Sequence, residues 1–99
     1  MAGMSFTYDT QEIRSRAKQV RTCMQQVDRL RKNSVREVRN AVDNCFQGEA
    51  ADALEERLDR SQRELNQIYS ELSTLYTAII KFVEKLEEID RQLAREMND

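Results

Sequence analysis

The chain of 99 residues contains no proline and only two glycines, Gly3 near the N-terminus and Gly48 close to the midpoint. Proline and glycine are the residues least tolerated in a helix interior. With Gly48 as the one interior exception, the sequence favours helix through both halves. Two long helices joined within residues 44–52, "NCFQGEAAD", are the simplest consequence. So short a join makes the helices antiparallel neighbours. The expected architecture is all-α: a two-helix hairpin with helices over about 9–45 and 50–96, preceded by a loose tail at 1–8. Residues 9–99 then form a single domain that frays at its C-terminal end.

The apolar spacing agrees with helices. Leu54, Leu58, Ser61, Leu65, Ile68, Leu72, Leu75, Ile79, Phe82, Leu86, Ile89 and Leu93 step alternately by four and three, and eleven of these twelve are apolar. This is a heptad seam; a strand would need period two. A second stripe runs beside it at Tyr69, Tyr76 and Val83, with Ile80 nearby. A face wider than one seam calls for more than one neighbour. The second stripe is therefore expected to face another hairpin, completing a four-helix bundle. On that reading a charge at Tyr76 or Ile80 weakens association more than it weakens the hairpin. Truncating Leu72 or Ile79 to alanine on the bundle axis costs about 2–5 kcal/mol.

The first helix has a weaker seam: Ile13, Ala17, Val20, Met24, Val27, Arg31, Ser34, Val38, Ala41 and Cys45. Arg31 and Ser34 interrupt it, with Leu30 and Val35 alongside. Fraying, a bend or a shift of the buried face would each accommodate the gap. The start of this helix is well marked. Asp9 is placed as N-cap and Glu12 at N3, as in a capping box. Tyr8 and Ile13 are spaced for a hydrophobic staple.

Composition sets the scale of the core. Hydrophobic residues make up 39% of the chain and charged residues 34%, which suits long amphipathic helices and not a thick single-chain core. A partner chain is expected for that reason. The charge is also divided. Residues 9–45 carry nine Lys and Arg against five Asp and Glu, and residues 49–99 carry seven against thirteen. Opposite net charge favours packing the halves side by side.

Little in the chain can carry chemistry. It has no histidine. Cys23 and Cys45 lie 22 positions apart on one expected helix, roughly 33 Å, too far to bridge. They are expected as buried or half-buried free thiols. No Gly-rich phosphate loop or zinc spacing occurs. Acidic neighbours such as Glu55–Glu56 and Glu87–Glu88 read as solvated helix surface, because a working pKa needs a pocket. The expectation is no enzyme, no metal and no cofactor. The basic residues of the first helix are interrupted by acids and lack interleaved aromatics, so nucleic acid is not the expected partner. No apolar run reaches the roughly 18 residues of a membrane span. The N-terminus, without a basic start and an apolar stretch, does not read as a secretory signal peptide.

About one hundred residues, two amphipathic helices and an aromatic-x-Gly at the turn, Phe46-Gln47-Gly48, resemble the WXG family, the early-secretory-antigen-like (Esx) proteins of bacterial type VII secretion. Phe46 takes the place of the usual tryptophan. The resemblance implies a helical hairpin that forms homodimers or heterodimers as four-helix bundles. It also implies manufacture in the bacterial cytoplasm and export, without a cleaved signal peptide, by a machine driven by an ATPase. Some members act as partners of larger secreted effectors. Phe46 and Gly48 take the turn-motif positions. Leu65, Ile68, Tyr69, Leu72, Leu75, Tyr76, Ile79, Ile80, Phe82 and Val83 make the core or dimer seam. The family's C-terminal Tyr-x-x-x-Asp/Glu has no counterpart in "IDRQLAREMND". A heterodimer whose partner supplies the signal, or a small targeting partner for an effector, would accommodate that. A structural or adaptor coiled coil, such as a needle-type subunit or a secretion chaperone, fits the same composition and seam.

Overall fold

The computed structural model describes residues 9–98. Among these the chain is helical with no strand, and it folds as a hairpin of one bent helix and one long helix. The first arm comprises α1 (Thr10–Arg29), a π-helical turn (Leu30–Ser34) and α2 (Val35–Cys45). The second arm is α3 (Gly48–Asn98), 51 residues long. The molecule measures 77 × 17 × 15 Å, one hairpin long and two helices wide.

Asp9 caps α1 as expected. Its Oδ1 accepts hydrogen bonds from the Gln11 N–H at 3.0 Å and the Glu12 N–H at 3.2 Å. The reciprocal half of the capping box is replaced. The Glu12 side chain accepts from Arg16, one turn on, at 3.3 Å, where an i, i+4 ion pair is available. Tyr8, the outer half of the expected staple, lies outside the described residues; Ile13 is half-buried.

The weak middle of the first arm resolves as a shift of the buried face. A π turn holds one more residue than an α turn and advances the frame by one. Up to its start, Ile13, Ala17, Val20, Met24 and Val27 face α3, and Arg31 continues that face into the turn. After it, Val35, Arg39 and the buried Val42 take the inner positions. The expected continuation through Val38, Ala41 and Cys45 is turned outward, and all three are exposed.

Only Phe46 and Gln47 separate the arms. Phe46 is extended (φ −129°, ψ 152°), and its N–H donates to the Val42 carbonyl at 2.9 Å. Gly48 has φ +69°, the left-handed region open to glycine at no steric cost. The glycine therefore reverses the chain at the first residue of α3, two residues past the Phe46 cap, and not as the left-handed stop of the first helix. A side chain at Gly48 would meet nothing within 4 Å, so backbone conformation alone selects glycine.

Candidate partner-binding face

The hairpin has two unlike long sides. Three arginines of the first arm form one of them. Arg14 grips Glu87 with two hydrogen bonds, at 2.6 and 3.2 Å. Arg31 lies 3.9 Å from the centroid of the Tyr69 ring and donates to Asn66 at 3.3 Å and to Asp28 at 2.8 Å. Arg39 pairs with Glu55 and, at 2.9 Å, with Asp59. These links span most of the arms and set their register. The expected complementarity of a basic and an acidic arm is realised in them. Partly exposed ion pairs add little free energy, so their main effect is alignment.

The carboxylates in these links are perturbed in opposite directions. The Arg14 guanidinium, by hydrogen bond and then by charge, holds Glu87 below the usual carboxylate range. Lys32 and Arg31 do the same for Asp28. Glu55 is pushed up, first by a shared hydrogen bond with the Asp43 carboxyl and then by burial. Its Oε1 is buried without a hydrogen-bond partner. The Arg39 guanidinium opposes this rise by its charge.

The stripe of contact with the first arm is Leu58, Gln62, Leu65, Tyr69, Leu72, Tyr76, Ile80 and Val83. All are at least half-buried, and Val83 is 0% exposed. This corrects the expected roles of the two stripes. Tyr69, Tyr76, Ile80 and Val83, expected to look outward, close the hairpin. Ile68, Leu75, Phe82 and Ile89, part of the heptad seam, remain 42–48% exposed. Ile79, Leu86 and Leu93 lie between the two sets and are half-buried. The reason is geometric. Within the hairpin α3 turns the flank of the seam that carries Tyr69, Tyr76 and Val83 towards the first arm, and so turns the flank with Ile68, Leu75, Phe82 and Ile89 away from it.

The first arm carries a matching outer stripe of Cys23, Leu30, Val38 and Cys45. Its spacing of seven, eight and seven follows the extra residue of the π turn. Leu30 and Val38 are 46% and 49% exposed. Both cysteines are exposed thiols, not the buried ones expected, because they belong to this stripe. On each arm the outer stripe lies roughly 80° round the helix from the inner one, in the same rotational sense. On antiparallel helices the same sense means the same side. Both stripes therefore share one long side of the hairpin, and the cross-arm arginine links lie towards the other. Phe46, 47% exposed at the turn, closes one end of the molecule.

The other expected features are plainly placed. Phe46 and Gly48 meet at the turn, and Asp9, Glu12 and Ile13 stand at the opposite end. Among the described residues no cluster of His, Cys, Asp or Glu could hold a metal ion. No helix of the described residues is long and apolar enough to cross a membrane. The concavities are shallow helix-surface grooves, such as the one lined by Ser73, Thr77 and Lys81. The turn position and the charge division together bring the residues of the individual arginine links across from one another.

A family model described as "Proteins of 100 residues with WXG" matches residues 5–91 of the chain. No curated protein and no solved structure gives a significant match. The family model covers most of the chain, including both arms and the Phe46-x-Gly48 turn, and the hairpin has the shape that the family resemblance implies. The chain belongs to the WXG100 family, the small helical proteins of type VII secretion.

Proposed function

We propose that this protein works by docking and not by catalysis. Its apolar side covers, and is covered by, a second helical hairpin in a four-helix bundle. The second hairpin is another copy or a homologous small helical protein. Type VII machinery then handles the bundle as a substrate or as the targeting partner of a larger effector. A secretion ATPase and such an effector are the further partners of this reading, and the bacterial cytoplasm before export is its place of action.

One observation carries the proposal: Ile68, Leu75, Phe82 and Ile89, with Leu30 and Val38 beside them, expose large apolar side chains in two parallel rows. Soluble chains seldom leave a contiguous stripe of this kind facing water unless something docks on it. Covering the exposed half of each such side chain is worth about 1 kcal/mol, and association multiplies that over both partners. Family membership supports the link to secretion.

The test is co-purification of the tagged protein from a bacterium that carries the machine, with the culture medium assayed alongside. A helical partner of similar size, or a dimer of the chain, together with its appearance in the medium, is the expected result. A protein that stays in the cell as a monomer, with no secretion-linked partner, overturns the reading.

A further inference from the structure

The side of the hairpin away from the outer stripes has a repeat of its own. On the first arm Lys18, Arg21, Gln25, Asp28, Lys32 and Arg36 step by three and four. On α3 Arg63, Asn66, Ser70, Ser73, Thr77 and Lys81 do the same. Such steps keep each set on one helix face. Asp28 and Asn66 both accept from Arg31, so the two sets share the side of the cross-arm links. The Arg14–Glu87 link sets Lys81 across from Lys18 and Arg21, and the Arg39–Asp59 link sets Arg63 across from Arg36. The strip therefore has a basic cluster at each end, roughly 27 Å apart along α3, with hydroxyls and amides between them.

Together the two sets hold six Lys and Arg against one Asp, in a chain whose net charge is −2. Lys32 pairs with that Asp28 at 3.0 Å. Among the described residues none of the other five cations makes an ion pair. Neither set contains an apolar or aromatic residue.

We infer that this strip is a docking surface for an acidic helix of a protein partner, separate from the apolar side. Its footprint is that of a third helix laid along the groove between the arms, about eighteen residues long. The hairpin already satisfies Arg39 in this way, with Glu55 and Asp59 four residues apart on one helix. Carboxylates at that spacing are what the five unpaired cations lack. Asp59 and Glu84 stand one step beyond the strip at either end of its α3 row. A flat anionic bilayer lying along the 77 Å molecule meets repulsion there, whereas a helix of the strip's own length does not. Nucleic-acid bases find no aromatic ring to stack on. A four-helix bundle built on the outer stripes leaves this side open, so the two surfaces serve different partners.

The test uses a labelled alanine-based helical peptide. It carries two pairs of glutamates, each pair four residues apart, with the pairs about eighteen residues apart. A control peptide of the same composition has both pairs together at one end. Fluorescence anisotropy at low salt is expected to show binding of the first peptide, weakening as salt is raised. The control, which reaches one cluster only, is expected to bind about tenfold more weakly. Arg36→Gln with Arg63→Gln, and separately Lys18→Gln with Lys81→Gln, should each cost about tenfold. Arg16 lies one heptad before Cys23, and Arg57 five turns before Leu75, on the side of the outer stripes. Arg16→Gln with Arg57→Gln removes the same charge there, and affinity should stay within about twofold of wild type. Circular dichroism on each variant checks that the helices are kept.

No binding of the first peptide, equal affinity for the two peptides, or an equal loss in the Arg16 and Arg57 variant overturns the inference. Phosphatidylserine vesicles or duplex DNA bound more tightly than the peptide, and lost with the strip substitutions, overturn the acidic helix as occupant. Each of these results leaves the bundle reading standing, because association through the apolar side is read separately by sedimentation.

Discussion

Truncating Val83 and Leu75 separately distinguishes the two stripes of α3. Val83 is fully buried against the first arm. Val83→Ala removes two buried methyl groups, about 0.8 kcal/mol each, and leaves a small cavity, so the hairpin loses about 2 kcal/mol. Leu75 is 48% exposed in the hairpin. Leu75→Ala gives up only the buried half of its side chain within that unit, about 1 kcal/mol. The rest of its cost falls on association. Urea denaturation followed by circular dichroism, at protein concentrations a hundredfold apart, separates the two effects. Val83→Ala is expected to lower the midpoint at both concentrations. Leu75→Ala is expected to act mainly at the high one, where the dimer is populated and its dissociation is coupled to unfolding. A Val83→Ala protein as stable as wild type at low concentration, with Leu75→Ala strongly destabilised there, would refute the assignment of the stripes.

Three further outcomes follow from the geometry. Gly48→Ala forces an L residue to φ +69° with no clash; a loss of about 1–2 kcal/mol in thermal denaturation is expected, and an unchanged midpoint would show that the turn relaxes. The Glu87 carboxylate is held low by Arg14, so its stabilising share is present above the ordinary carboxylate value of 4.5 and is lost as pH falls through the lowered one. Glu55 is raised and acts in the opposite sense, favouring the fold as it protonates. Residue-resolved NMR during acidification should therefore show the Arg14–Glu87 end loosening before the turn, and uniform loosening would contradict this. Deleting Asn33 from the π turn restores an α frame while keeping Val35 and Val42 inward; stability within about 1 kcal/mol of wild type is expected, whereas adding a residue there should unfold α2.

Much of this fold is legible in the sequence because punctuation is so sparse. The absence of proline, the single interior glycine and the four-three spacing from Leu54 to Leu93 give two helices and their turn. Asp9 marks the start of the first. The roles of the two stripes were harder to read. Spacing reports which residues share a face, but the neighbour at each face depends on how many helices meet. Spacing alone therefore points Tyr69, Tyr76 and Val83 outward, and the hairpin puts them inside. The π turn was signalled only as a gap at Arg31 and Ser34. Its effect is visible afterwards in the seven-eight-seven spacing of Cys23, Leu30, Val38 and Cys45, a period that simple heptad counting passes over. The arginine links needed the cross-arm register, which the turn supplies only once the π residue is counted.

The central claim is that the exposed stripe is a docking face and not part of the hairpin's own core. Sedimentation equilibrium of the wild-type chain and of Leu75→Lys tests it most directly, with circular dichroism on the same samples. The account expects the wild-type protein at twice its chain mass of 11.7 kDa and the variant at the chain mass with its helicity kept. A variant that remains dimeric, or one that loses helix in proportion to its loss of mass, would contradict it.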